Sequence, residues 1–247
     1  MRLKDKVAIV TGAGSGFGKG ITETYAREGA KVAVVDLVEK AAQEVASAIK
    51  NAIAIRCDVS SRADIDAAVA ATIKAFGRID VLVNNAGTSH PRKPMAEITE
   101  TEIDRVFDVN VKGLFLFTQA VVPQLRKQGG GVIVNIGSTA GLRPRGGLSV
   151  YNASKGAVHL LSKALAIELA PDKIRVCVIA PVAGETPLLP TFMGGDSEEL
   201  RKQFRDSVPL GRLSTPQDIA NVALFLASDE AEFLTGNVVE VDGGRCV

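Results

Sequence analysis

The chain has 247 residues, 46% of them hydrophobic and 23% charged, with a formal net charge of +1. Such a composition supplies a large core and sets up no field that would select nucleic acid or an anionic membrane surface as partner. Three widely spaced cysteines, Cys57, Cys177 and Cys246, offer neither a disulfide framework nor a metal-ligand spacing, which fits a reducing cytoplasm, and no apolar run approaches the roughly 18 residues of a membrane span.

Short β-rich runs alternate with longer helical patterns. The first strand is expected at 7–10, followed by a helix over 16–28 that Gly29 stops. A strand at 31–36, a helix at 39–50 and a strand at 52–58 come next. An Ala-rich helix at 62–76 ends at Gly77, before a strand at 79–84. Two helical patterns, about 99–108 and 111–128, close at Gly129-Gly130-Gly131. A strand at 132–136, a long helix at 150–169 and a strand at 174–179 follow. Helices at about 197–206 and 216–227 precede a last strand at 238–241. The strands are continuous apolar runs rather than alternating ones, the pattern of strands covered on both faces. The reading is a doubly wound α/β sheet of seven parallel strands with helices on both faces, in one domain over 1–247. Ligands bind such sheets at the carboxyl ends of the strands.

The motifs fall mostly at those ends. Thr11-Gly12-Ala13-Gly14-Ser15-Gly16-Phe17-Gly18 follows the first strand and opens the first helix. Glycines let the backbone turn and approach a pyrophosphate, and a helix N-terminus offers free N–H groups to it. The generic G-x-G-x-x-G spacing fails at Phe17; the glycines that fit are Gly12, Gly16 and Gly18. Asp36 ends the second strand, where a carboxylate accepts from both ribose hydroxyls of adenosine and repels a 2′-phosphate. Ser15 and Leu37 beside it bring no base to hold that phosphate. Both features favour NAD over NADP.

Tyr151 and Lys155 stand four apart on the long helix and share a face. A tyrosine has an ordinary pKa of about 10, too high for a base at neutral pH. A neighbouring ammonium and a positive nicotinamide are expected to bring it down, so that it can take an alcohol proton as hydride leaves carbon. Ser138 closes the fifth strand, where its hydroxyl can hold the substrate oxygen. Asn110 begins a helix, a common N-cap position. His159 reads as a packing residue and His90 as a solvated loop residue. No cluster of metal-ligand type appears.

These residues together resemble the classical short-chain dehydrogenase/reductase family. The T-G-x-x-x-G-x-G pattern stands at Thr11 to Gly18 and N-N-A-G at Asn84-Asn85-Ala86-Gly87. The resemblance covers the whole chain. It implies a Rossmann-like fold, with a cofactor half at about 1–136 and a catalytic and substrate-loop half at about 137–247. It implies that Asn110, Ser138, Tyr151 and Lys155 form a catalytic tetrad, with Lys155 also on the nicotinamide ribose and Asn110 holding a water beside it. Asp58, with Val59, matches the acid that holds the adenine amino group, and Pro181 the proline after the sixth strand. Asn85, Ala86, Gly87 and Phe17 belong to the implied cofactor site, and Thr186 would serve the nicotinamide carboxamide. Ala180 and Cys177 depart from the asparagines common at those places, and Val182-Ala183-Gly184 departs from the usual Pro-Gly pair. Relatives are usually homotetramers, joined through the helices at 111–128 and 150–169.

The implied reaction interconverts a secondary alcohol and a ketone. Three loops, at 88–95, 139–149 and 184–204, are expected to wall the substrate pocket, with Leu188 and Phe192 in a lid that Gly194-Gly195 hinges. Arg143 and Arg145 either meet an anionic group or are solvated. An NADP-dependent 3-oxoacyl-carrier-protein reductase and a non-catalytic NAD-binding protein are the rival readings, and an extended-family sugar-nucleotide epimerase is disfavoured by the chain's length.

Overall fold

The computed structural model describes residues 1–247. Seven strands, β1 (Val7–Thr11), β2 (Lys31–Asp36), β3 (Ala52–Arg56), β4 (Val81–Asn84), β5 (Gly131–Ile136), β6 (Ile174–Pro181) and β7 (Val238–Val241), form one sheet in the order β3-β2-β1-β4-β5-β6-β7. Every pairing is parallel. The helices are α1 (Gly16–Arg27), α2 (Glu39–Ser47), α3 (Arg62–Phe76), α4 (Glu100–Phe107), α5 (Leu114–Gln128), α6 (Ser149–Leu169), α7 (Leu189–Met193), α8 (Glu198–Asp206) and α9 (Pro216–Ala227).

The inner strands are largely apolar because both faces are covered, whereas the edge strands β3 and β7 have no fully buried residue. On β1, Ala8 and Val10 point into a core with Ile21 and Tyr25 of α1, Val45 of α2 and Leu224 of α9. Ile9 points the other way, into a core with Ile65 of α3, Phe117 and Val121 of α5 and Leu165 of α6. Successive side chains of a strand face opposite sides, so no position in such a strand is left for a polar residue without a partner. The buried exceptions are paired. Asn84 of β4 donates to Asn135 of β5 (2.9 Å) and to Thr118 of α5 (3.2 Å). Asn135 donates to Ser162 of α6 (2.8 Å), whose hydroxyl donates to the Val158 carbonyl (2.6 Å).

The sheet order reverses between β1 and β4, which leaves a crevice at their carboxyl ends. Several boundaries differ from the sequence reading, each for a local reason. β3 ends at Arg56, two residues early, because Asp58 leaves the ladder. Its N–H donates to Asp64 (3.0 Å), and both the N–H and the hydroxyl of Ser60 donate to its Oδ1 (2.9 and 2.7 Å). β4 begins at Val81 because Asp80 instead takes the N–H of Val7 (2.8 Å) and the guanidinium of Arg78. α2 ends at Ser47, short of residue 50.

The two helices expected at 99–108 and 111–128 are one continuous rod. A π-helical segment, Asp108–Gly113, joins α4 to α5, and Asn110 sits inside it rather than at a helix start. By length and composition alone the rod could cross a membrane, a longer apolar helix than the sequence led us to expect. Phe117, Val121 and Leu125 of α5 are fully buried against the sheet, as in a core helix. At Gly113 a side-chain carbon would lie 2.7 Å from the Val59 carbonyl oxygen. Gly113→Ala is therefore expected to destabilise the fold by about 1–3 kcal/mol and to displace the π segment. Thermal unfolding of the variant checks this; an unchanged midpoint would mean that the contact relaxes freely.

α7 was not foreseen. It carries Leu189 and Met193 into a small separate core with Phe204 of α8 and Leu213. Pro190 sits in its first turn, and Gly194 ends it in the left-handed conformation at φ 78°.

Candidate active site

A cavity of about 770 Å³ opens along the carboxyl edge of the sheet. Its floor is the glycine loop. The Thr11 hydroxyl accepts the N–H groups of Asn85 and Ala86 (3.0 Å each), and the Asn85 amide donates to the carbonyls of Thr11 (2.8 Å) and Gly12 (3.0 Å). Strands β1 and β4 thus hold each other's ends. Gly12 lies at φ 60°, and a side-chain carbon there would fall 2.9 Å from Ala86 Cα. Gly18 does not line the cavity. It lets α1 pack beneath the loop, where a side-chain carbon would come 2.2 Å from the Gly12 carbonyl. Ser15 leaves the first turn of α1 without a side-chain cap, and no acid stands in that turn. The free N–H groups and positive helix end suit a pyrophosphate.

Gly12, Ser15, Gly16, Phe17, Asp36, Leu37, Asp58, Val59, Asn85, Ala86, Gly87, Pro181 and Thr186 all line this cavity. Asp36 accepts from the N–H groups of Gly14 (2.8 Å) and Val38 (2.9 Å), which holds its carboxylate at the cavity rim. Thr186 packs against Gly16, where a side-chain carbon would lie 3.2 Å from its methyl. Residues the sequence reading passed over also line the cavity: Thr101, Asp104, Arg105 and Asp108. Their 3-1-3 spacing along one helix face was the available signal.

Ser138, Tyr151 and Lys155 line the far end, and Asn110 is buried behind them, outside the cavity lining. The π segment turns the Asn110 side chain inward. Its Oδ1 accepts the Thr88 N–H (2.8 Å), and its Nδ2 donates to the Thr88 carbonyl (2.9 Å) and the Ser154 hydroxyl (3.0 Å). It ties the loop after β4 to α6. Lys155 is buried, with Nζ donating to the Ile136 carbonyl (2.8 Å), and burial holds its ammonium down at about 8. Tyr151 is 7% exposed and packs on Phe192 of α7, ring centroids 4.9 Å apart. Burial pushes its phenol up to about 12, offset in part by the Ser138 hydroxyl. The sequence reading expected Lys155 to bring that phenol down. Desolvation prevails over that ammonium, which is turned to the Ile136 carbonyl, 5.8 Å from the ring centre.

His159 sits behind this group. Its Nε2 accepts the Ser138 N–H (3.4 Å), and burial, then Lys155 and Lys163, hold it down at about 4. It stays neutral in the fold, whereas an unfolded histidine takes a proton near 6.5. Stability should therefore fall as pH drops from about 6.5 to about 4, by roughly 3 kcal/mol at most. His159→Gln is expected to flatten that limb in denaturant titrations at a series of pH values; an unaltered limb would assign it to other groups.

At the substrate end, Leu188 and Phe192 line the cavity with Arg145, Leu148 and Phe204. Arg143 does not; it is exposed and donates to the Arg245 carbonyl (2.5 Å), drawn away by the C-terminal segment. His90 is buried rather than solvated, with Nδ1 2.8 Å from the Pro91 carbonyl, because the loop folds back over it.

A family model described as Enoyl-(Acyl carrier protein) reductase matches residues 12–245. The chain is 44% identical over 250 residues to the 4-formylbenzenesulfonate dehydrogenase TsaC1/TsaC2 of Comamonas testosteroni, spanning 99% of both chains. It is 38% identical to the 7alpha-hydroxysteroid dehydrogenase of Escherichia coli K12, spanning 99% of this chain and 95% of that one. The crystal structure of a 3-ketoacyl-(acyl-carrier-protein) reductase from Brucella melitensis, complexed with NADH, superposes with a TM-score of 0.95 at 48% identity, covering 99% of this chain and 100% of that one. The protein belongs to the classical short-chain dehydrogenase/reductase family. It is an oxidoreductase that uses a nicotinamide cofactor to interconvert hydroxyl and carbonyl groups.

Proposed function

We propose that the protein is an NAD-dependent dehydrogenase of secondary alcohols, with Tyr151 as the proton-transfer group. The observation that carries the cofactor choice is Asp36, held at the cavity rim by two backbone N–H groups. Its carboxylate suits free ribose hydroxyls and opposes a 2′-phosphate. NADH in the Brucella reductase structure is in keeping with this. Asp58 keeps one carboxylate oxygen free of Ser60 and is available to the adenine amino group.

Nicotinamide, when bound, supplies or accepts the hydride. The remaining work falls to the chain. Ser138 holds the substrate oxygen, and Tyr151 gives its phenolic proton to that oxygen as carbonyl becomes alcohol. A phenol held up at about 12 is fully protonated at neutral pH, the form reduction needs. In the oxidation direction Tyr151 must take the alcohol proton, and the Lys155 ammonium and the positive oxidised ring both favour the phenolate. Oxidation should therefore accelerate with rising pH, while reduction stays flat through neutrality. Lys155 and Asn110 keep this end of the cavity in place through Ile136, Thr88 and Ser154. Leu148, Leu188 and Phe192 suit a substrate with apolar surface, and the formylbenzenesulfonate and hydroxysteroid in the relatives' names both contain rings.

Assembly as a homotetramer through α5 and α6 belongs to the same reading. Phe115, Leu160 and Ile167 are exposed on those helices, and light scattering in solution tests it. A second reading, an acyl-carrier-protein-linked ketoreductase, is favoured by the 48% identity to the Brucella enzyme. Absorbance at 340 nm with NADH and NADPH, across aryl ketones, ketosteroids and a 3-oxoacyl thioester, decides between them. Turnover confined to the thioester would select the second reading.

A further inference from the structure

A second cavity, of about 260 Å³, adjoins the substrate end of the first. Arg145, Phe192 and Phe204 line both. Arg92 and Arg245 line only the smaller one. None of the three guanidiniums meets a carboxylate. Every ion pair in the chain is made by other residues. Arg92 donates only to the Gly146 carbonyl (3.3 Å) and Arg145 to the Ser207 hydroxyl (3.0 Å), while the buried Arg245 Nε has no partner in the chain. An arginine has five N–H donors, so most of the donors on these three are uncommitted.

The cluster is held in place. The Arg145 guanidinium lies 4.3 Å from the Phe204 ring centre, which fixes its plane. Arg143 holds the Arg245 carbonyl and with it the C-terminal segment. Burial, and then the positive fields of Arg245, Arg92 and Arg143, bring Arg145 down to about 10, so it remains charged at neutral pH. Cations gathered without a counter-charge repel one another, and an anion between them would turn repulsion into paired hydrogen bonds.

We propose that Arg92, Arg145 and Arg245 bind an anionic group, such as a carboxylate or sulfonate, carried by the substrate across Phe192 from its reacting carbonyl. The proposal rests on the alcohol–carbonyl reading of the larger cavity and narrows the substrate to organic anions. Phe192 lines both cavities and packs at a tilt against Tyr151, so an anion held among the arginines would point the rest of the substrate at the phenol.

Calorimetric titration of the enzyme loaded with oxidised NAD, which cannot reduce a ketone, with 4-acetylbenzenesulfonate, 4-acetylbenzoate and uncharged acetophenone tests this, alongside turnover of each with NADH. The anions are expected to bind about tenfold or more tightly than acetophenone, and added salt should weaken only them. Arg245→Gln and Arg92→Gln, which leave the Phe204 contact intact, should remove most of that advantage and leave acetophenone unaffected. Arg145→Lys should keep the charge but lose the forked geometry, raising KM for the anions with little change in kcat. Equal binding of anions and acetophenone, or an anion preference that survives in the doubly substituted enzyme, would overturn the proposal. Tight, arginine-dependent binding without turnover would leave the anion site standing and count against the alcohol–carbonyl reading alone.

Discussion

Replacing Tyr151 by Phe is expected to lower kcat in both directions by about 10²–10⁴-fold, the usual contribution of a positioned general acid or base. The variant keeps the ring that packs on Phe192, Ala140 and Leu148, so the fold and cofactor binding should persist. Only the transferable proton is lost. Its signature is a fall in kcat without a matching change in NADH affinity, which fluorescence of the bound nicotinamide reads directly. The wild-type oxidation rate should rise with pH, and this dependence should vanish with the hydroxyl. Activity within about tenfold of wild type would show that another group moves the proton. His159 is held down at about 4, Lys155 at about 8, and both lie close enough to make that outcome instructive.

The second large effect is expected at Asp36. Asp36→Ala removes a charged acceptor from the adenosine ribose, a loss of about 1.5–3 kcal/mol, or about 10–150-fold in kcat/KM with NAD. The same change lifts the repulsion of a 2′-phosphate, so kcat/KM with NADP should rise. Asp36 also accepts from Gly14 and Val38, and alanine leaves both N–H groups without a partner. Asp36→Asn separates the two roles. It keeps an acceptor for one of the two loop N–H groups but not the charge, and NADP should improve with it as well. Unchanged cofactor preference in both variants would remove Asp36 as the discriminating residue.

Much of this was legible in the sequence because it is written in local patterns. Continuous apolar strands, the glycine loop, and Tyr151 four residues before Lys155 each follow from short-range geometry. What escaped needed contacts between distant segments. Asn110 read as a helix start because nothing in 108–113 announces a π segment; the close approach of Gly113 to Val59, 54 residues earlier, shapes it. His90 read as solvated because its burial comes from the fold-back of a polar loop. Arg143, in the 139–149 loop, read as either meeting an anion or solvated; the C-terminal Arg245 carbonyl holds it exposed and outside the cavity. Gly18 belongs to the motif but serves the packing of α1 rather than the cavity wall. The arginine cluster joins positions 92, 145 and 245, and no window of sequence contains all three.

The amide chain through the sheet works as a ruler. Asn84 and Asn135 are register partners on β4 and β5, and they continue to Thr118 on α5 and Ser162 on α6. Sliding either strand by one residue would swing its asparagine to the opposite face, against Val10, Ile179 and their neighbours, where no donor or acceptor waits. A misaligned sheet would thus bury orphaned amides, and the chain is driven to a single alignment during folding. Asn135 stands three residues before Ser138, and Ser162 seven after Lys155. Getting the strands into step therefore also sets the Ser138 hydroxyl and the Lys155 ammonium to the same gauge, before any ligand arrives.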